Sequence, residues 1–166
     1  MDRDSGASDP WRQAAGHSVS PTQNRKGRRA TLRAVQPTNA AQTAIPAVVV
    51  VCATDETLCA LATEAGTANW NVESCPDAVS VRTRLSEAAP QLIVIDDEAV
   101  TTDDRGWLLE RIRRLAPRAY VIYVAARHDA ETEKRARSHG VHYYMSKPID
   151  PHRFTEVSQA FMRAAR

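Results

Sequence analysis

The sequence predicts an α/β fold in which a doubly wound sheet of five parallel strands carries helices on both faces. The first observation is that apolar runs alternate with helical patterns five times from Ala47 onward, which is typical of repeated βαβ units. The second is that these runs are continuous and rich in Val and Ile, as expected of parallel strands buried on both faces. Roughly 120 residues take part, which is enough for one hydrophobic core.

Turn signals support the predicted elements. Gly140 suits the left-handed end of the fourth helix, and Pro90 precedes the third strand. Asp150 and Pro151 suit the cap and first position of the last helix. Strands are predicted at 48–52, 71–74, 92–95, 120–125 and 141–146, and the helices that follow them at 57–64, 77–87, 107–115, 130–138 and 151–164.

Two charged residues stand at the ends of predicted strands. Asp96 directly follows the third apolar run, and Lys147 follows the fifth, immediately before Pro148. Because neighbouring parallel strands open into one crevice at their carboxyl ends, an acid and a cation at two such ends can face each other. A crevice of this kind suits a phosphoryl group or a small cation.

From about residue 47 to 166 the chain resembles the receiver domain of bacterial response regulators. The segments that carry the resemblance are PQLIVID, which ends at Asp96, and GVHYYMSKP, which contains Lys147 and ends at Pro148. The resemblance implies a flavodoxin-like fold with strand order 2-1-3-4-5, and phosphorelay signal transduction rather than catalysis. It also implies that Asp96 corresponds to the phosphoacceptor and that a histidine kinase is a partner.

The first departure from the family concerns metal binding. In the family, two acids after the first strand act with the phosphoacceptor to hold a divalent cation, and Mg²⁺ requires such oxygen ligands. Here the corresponding residues at 52–54 are Cys, Ala and Thr. Asp55 and Glu56 come later, where acids favour the start of a helix. We therefore expect no cofactor, with Mg²⁺ held by Asp55 and Asp96 as the alternative.

The second departure concerns the conformational switch. By resemblance, a Thr or Ser hydroxyl at the end of the fourth strand bonds the phosphoryl oxygen, and an aromatic residue on the fifth strand then changes rotamer. This chain has Ala125 at the hydroxyl position, and a methyl group cannot donate that bond. Tyr144 matches the aromatic residue. It is predicted to lack its trigger, or to be an ordinary half-buried strand residue.

The third departure is the acidic loop after the third strand. Asp96, Asp97 and Glu98 are consecutive, and clustered carboxylates repel one another unless a cation lies among them. Lys147 is the expected cation. Its pairing with Asp96 would hold the crevice closed in the absence of phosphate.

A protein-binding surface is predicted on the fourth helix, fifth strand and fifth helix, the face through which receivers signal by resemblance. Arg135, Tyr143, Tyr144 and Arg153 are its main candidates, because tyrosines beside arginine are enriched at interface cores. The residues do not decide between a different protein partner and a homodimer.

Residues 1–45 differ in composition from the predicted domain at 46–166. They hold seven Lys or Arg and three Asp, and almost no aliphatic run, which predicts a disordered basic extension. Arg25, Lys26, Arg28, Arg29 and Arg33 form a basic cluster. A solvated linker is favoured over nucleic-acid binding, because no nucleic-acid module accompanies the cluster.

Composition excludes several other classes. No apolar stretch approaches the roughly 20 residues of a membrane span, so a cytoplasmic protein is expected. The three cysteines, Cys52, Cys59 and Cys75, are predicted to be reduced, and no nucleophile-His-acid pattern supports an enzyme. The predicted function is a bacterial signalling module that acts through protein contacts with weak or no phosphorylation. The alternative is a conventional regulator that accepts phosphate on Asp96.

Overall fold

The computed structural model describes residues 47–66 and 69–165, which form a parallel sheet of five strands in the order β2-β1-β3-β4-β5. The predicted fold class and strand order are confirmed. The predicted extension at 1–45 lies outside the described residues. The strands are β1 (Ala47–Cys52), β2 (Trp70–Cys75), β3 (Leu92–Asp96), β4 (Tyr120–Ala125) and β5 (Tyr143–Ser146). The helices are α1 (Thr57–Ala65), α2 (Ala78–Glu87), α3 (Thr102–Leu115), α4 (Ala130–Ser138) and α5 (Pro151–Ala164), and a 3-10 turn, η1 (Asp97–Ala99), follows β3.

Side chains alternate between the two faces of the sheet, and each face meets a different helix layer. On one face, Val49 and Val51 of β1 belong to a core that includes Phe154 of α5. On the other face, Val50 belongs to a core that includes Leu108 of α3. These five side chains are fully buried, and each such burial stabilises the fold by about 1.5–3 kcal/mol. β3, which ends in the crevice, is likewise buried along its whole length.

Side-chain caps fix the starts of α2, α3, α4 and α5. Asp77 accepts a hydrogen bond from the Ser80 amide at 2.7 Å, and Asp129 accepts one from the Thr132 amide at 2.9 Å. α3 begins at Thr102, earlier than the predicted start at 107, because Thr101 caps it and acids fill its first turn. No helix in the described part of the chain is long and apolar enough to cross a bilayer.

β5 starts later than predicted, at Tyr143 rather than at 141. Gly140 has a φ of 89°, the left-handed conformation that was expected to end α4. The next two residues lead into the sheet, and the His142 amide already donates to the Val121 carbonyl at 2.9 Å. This register places Tyr143 and Tyr144 on opposite faces of the sheet.

Candidate functional site

The crevice is built around an ion pair at the carboxyl ends of β3 and β5. Asp96, the last residue of β3, is 0% exposed, and the Nζ of Lys147 donates to its Oδ2 at 2.8 Å. The backbone amide of Lys147 donates to the Ala125 carbonyl at 2.9 Å, which fixes the root of the lysine side chain beside β4. The Lys147-Pro148 peptide bond is cis.

Glu98 adds a second carboxylate to the same lysine. The η1 turn brings the Glu98 amide to Asp96 Oδ1 at 3.1 Å, and the Glu98 carboxylate accepts from Lys147 Nζ. Both oxygens of Asp96 are therefore hydrogen-bonded within the chain. Burial lowers the pKa of Lys147, but hydrogen bonds and attraction to the two carboxylates raise it by more, so the net pKa is raised. The lysine remains an ammonium ion that bridges two acids.

Asp97 holds the other wall of the crevice. Its side chain is buried, and its Oδ1 accepts a hydrogen bond from the Ala126 amide at 3.1 Å, which ties the loop after β4 to η1. Its Oδ2 lies 3.8 Å from Nη2 of Arg105, and the same guanidinium donates to the Asp97 carbonyl at 3.0 Å. Burial, followed by the charge of Asp97, raises the pKa of nearby Tyr123 to about 12. Each acid of the run is therefore paired, Asp96 and Glu98 with Lys147 and Asp97 with Arg105.

Asp55 and Glu56 lie at the start of α1. Asp55 is exposed and its Oδ1 accepts from the Thr57 amide at 2.9 Å, while Glu56 occupies the cap position without a side-chain cap bond. Asp55 also lines an apolar pocket of about 250 Å³ that includes Lys147 and Leu61. Within residues 47–66 and 69–165, no hydrogen bond or ion pair joins either acid to Asp96.

The residues of the crevice do not fit a Mg²⁺ ion in this arrangement. The ion requires near-octahedral oxygen ligands, whereas the Lys147 ammonium lies 2.8 Å from Asp96 Oδ2 and would repel a second cation beside it. Across the described residues, no group of three or more His, Cys, Asp or Glu side chains is placed to hold a metal. The sulfur of Cys52 lies where β1 ends, and burial raises the pKa of its thiol to about 12.

The two switch positions are both buried. Ala125 is the last residue of β4, and its methyl group offers no hydrogen bond to an anion. Tyr144 is 8% exposed, and its ring stacks on Tyr123 with centroids 5.9 Å apart. The expectation that Tyr144 is displayed on the binding surface is wrong, because strand alternation turns it inward while Tyr143 faces the other side.

Part of the predicted binding surface does come together. The Nε of Arg153 donates to the Tyr143 hydroxyl at 2.9 Å, and the guanidinium carbon lies 5.5 Å from the centre of that ring. The pair lines a groove of about 470 Å³ beside Val157 and Phe161 of α5. Arg135 instead lines a different groove, between α3 and α4.

Two contacts of the site escaped prediction. The Asp97 bond to Ala126 depends on η1, a single turn without its own sequence signal. The position of Arg105 depends on α3 starting at Thr102. The Thr-x-x-Asp pattern from Thr101 to Asp104 is the signal that would have shown that start.

No protein-family model and no curated protein matches this sequence. Among solved structures, a response regulator from Thermotoga maritima is 18% identical, with a TM-score of 0.63 over 71% of this chain and 98% of that chain. A CheY-like receiver domain protein from Methanospirillum hungatei is 16% identical, with a TM-score of 0.63 over 72% and 96%. HP1043, an orphan response regulator of H. pylori, is 13% identical, with a TM-score of 0.61 over 70% and 97%. These likenesses show that the chain has the receiver-domain fold.

Proposed function

We propose that this chain is a signalling module that acts through protein contacts, and that its receiver-like crevice is held closed by its own side chains. In this proposal, phosphorylation of Asp96 is weak or absent, and the chain catalyses no reaction of its own. The observation that carries the proposal is the bridge of Lys147 between the buried Asp96 and Glu98.

The bridge opposes phosphorylation for two reasons. The hydrogen bonds from the Lys147 ammonium and the Glu98 amide withdraw electron density from the two Asp96 oxygens, which makes either oxygen a weaker nucleophile. An arriving phosphoryl group would also meet the carboxylates of Asp97 and Glu98, which repel it unless a cation compensates. The resting arrangement is therefore the favoured one.

The crevice also lacks a means of reporting phosphate to the surface. A ligand shifts a conformational equilibrium only by its different affinity for the two states. Ala125 has no hydroxyl to donate, and the neighbouring Ala126 amide is already bonded to Asp97. Phosphate at Asp96 would thus find neither a hydroxyl at Ala125 nor a free amide at Ala126 to draw the loop after β4 inward.

The proposed output is contact with a protein partner in the cytoplasm through the face of α4, β5 and α5. The Tyr143-Arg153 pair supports this choice, because a hydrogen bond and ring contact hold two interface-forming side chains in place before binding. A homodimer through the same face is the alternative form of this assembly.

A conventional phospho-accepting regulator is the second candidate. The observation that favours it is the placement of Asp96 at the end of β3 and Lys147 after β5, the arrangement that the resemblance implies for phosphate transfer. A histidine kinase would then be the partner. The two candidates differ in whether Asp96 reacts.

The deciding experiment measures the intact mass of the full chain after incubation with acetyl phosphate and Mg²⁺, with an active receiver domain treated in parallel. We expect the active receiver to gain a phosphoryl group and this chain to remain unmodified. A stoichiometric adduct that is lost in Asp96→Asn would overturn the proposal in favour of the conventional regulator.

Partner capture from cell extract tests the binding surface separately. Tyr143→Ala with Arg153→Ala should abolish capture, whereas Asp96→Asn should retain it. Unchanged capture by the surface variant would show that recognition lies elsewhere on the chain.

A further inference from the structure

A groove of about 410 Å³ separates α3 from α4, and its volume falls in the usual range of small-molecule sites. Its floor contains Leu109 and Tyr123, which are buried, and Ala136, the single buried residue of α4. Its walls and rim include Asp103, Arg105, Gly106, Thr132, Arg135 and His139. The groove shares α4 with the proposed protein-binding face, but the Tyr143-Arg153 pair lies outside it.

The sequences of the two helices explain why the groove stays open. On α4, Ala136 is flanked by polar residues at helical spacing, including Thr132 and Arg135. On the facing turns of α3, the groove is lined by Arg105 and Gly106. Helices pack closely when apolar stripes meet, and here polar and very small residues line both walls.

Gly106 keeps one wall of the groove without a side chain. It lies in the interior of α3, where glycine is less favourable than alanine by about 1 kcal/mol. A Cβ added there would meet only the His139 Nε2 atom, at 4.0 Å, so close packing does not require a glycine. The glycine therefore leaves space in the groove, and among the described residues no close packing contact at this position requires a glycine.

The rim of the groove offers a cation that the described residues do not neutralise. Within the ranges that the structure describes, the Arg135 guanidinium takes part in no ion pair or side-chain hydrogen bond. The Nδ1 of His139 lies 2.8 Å from the Arg135 carbonyl, which turns Nε2 toward Gly106. Arg105 is engaged by Asp97, and Asp103 is the one carboxylate in the lining.

We propose that the α3–α4 groove binds a small organic anion that carries an aromatic ring. Its anionic group pairs with Arg135, because arginine forms strong charge-assisted hydrogen bonds with oxyanions. Its ring covers the apolar floor at Leu109 and Ala136. This site is separate from the crevice and does not depend on the proposed signalling function.

Two fluorescent probes that differ mainly in charge test the site on the full chain. They are 8-anilino-1-naphthalenesulfonate, an aromatic sulfonate, and N-phenyl-1-naphthylamine, its uncharged analogue. We expect saturable binding of one sulfonate per chain, about tenfold tighter than the uncharged probe, as one charge-assisted contact predicts. Amide shifts should centre on Gly106, Leu109 and Ala136.

Three variants separate this groove from general surface binding. Arg135→Gln should weaken sulfonate binding about tenfold and leave the uncharged probe unchanged. Gly106→Leu should weaken both probes by filling the groove, while the unfolding transition shows that the domain remains folded. Lys134→Gln is the matched control, since it removes an equal charge from the adjacent exposed position on α4, and it should bind both probes as the wild type does.

The proposal fails if the sulfonate does not saturate, or if Gly106→Leu binds it as tightly as the wild type. It also fails if Lys134→Gln and Arg135→Gln weaken binding equally, because the attraction would then belong to the general charge of α4.

Discussion

The crevice and the α3–α4 groove both place charged groups beside an apolar base, yet the chain treats them in opposite ways. In the crevice, Asp96, Asp97 and Glu98 each contact a donor from the same chain. In the groove, the Arg135 guanidinium forms no ion pair and donates no side-chain hydrogen bond within residues 47–66 and 69–165. The difference arises because the η1 turn and the end of β5 bring hydrogen-bond donors to the acids of the crevice, whereas no such turn or strand end in the described part of the chain reaches Arg135.

The largest expected effect is a difference in the free energy of unfolding between variants of Lys147 and Arg135. Lys147→Met should lower the free energy of unfolding by about 3 kcal/mol, because it leaves the fully buried Asp96 without its cation. Arg135→Met, the control in the groove, should change it by less than about 0.5 kcal/mol. Urea denaturation of the full chain measures both. Equal stability of Lys147→Met and the wild type would contradict the closed crevice.

A smaller loss is expected from the second wall of the crevice. Asp97→Ala should lower the free energy of unfolding by about 1–3 kcal/mol, because the Ala126 amide loses its acceptor and Arg105 loses the nearby carboxylate. The Ala126 amide resonance should move toward the position of a solvent-bonded amide in the NMR spectrum. Asp103→Ala, which removes an exposed acid from the first turn of α3, should lower stability by less than about 1 kcal/mol and leave that resonance unchanged.

The groove should gain stability when its wall is filled. Gly106→Ala should raise the free energy of unfolding by about 0.5–1 kcal/mol, since the new Cβ meets no atom closer than 4.0 Å and alanine favours helices. Gly140→Ala should do the reverse, because Gly140 has a φ of 89°. Thermal denaturation distinguishes the two. A destabilised Gly106→Ala would show that the glycine has a packing role that its surroundings do not reveal.

The smallest expected effect is on the pH dependence of stability, through His142, whose ring accepts a hydrogen bond only while it is neutral. His142 Nδ1 accepts from the Val121 amide at 3.1 Å, and burial lowers the pKa of His142 below its ordinary 6.5. Its contribution to stability is therefore complete above pH 6.5 and is lost as the pH falls through that value toward the lowered pKa. His142→Gln should flatten this decline between about pH 7 and pH 5. His139→Gln, at a neighbouring histidine, should leave the decline in place.

The sequence predicts the parts of this molecule that depend on local pattern. Apolar periodicity located every strand, and strand ends located Asp96 and Lys147 in one crevice. The position of Tyr144 could not be obtained from composition, because one residue of register reverses which tyrosine faces the core. The contacts of Arg105 depend on a helix start that the acidic run concealed. The groove depends on the absence of a side chain at Gly106, and a single glycine within a helix is not a sequence motif that predicts a groove.

The single buried residue of α4 has a further consequence, for local unfolding. Opening α4 exposes little apolar surface beyond Ala136, so the helix can fray at a small fraction of the global free energy. The amides of β3, in contrast, lie between two buried layers and exchange only when the whole domain opens. In deuterated buffer, the backbone amides of α4 should therefore exchange well before those of β3.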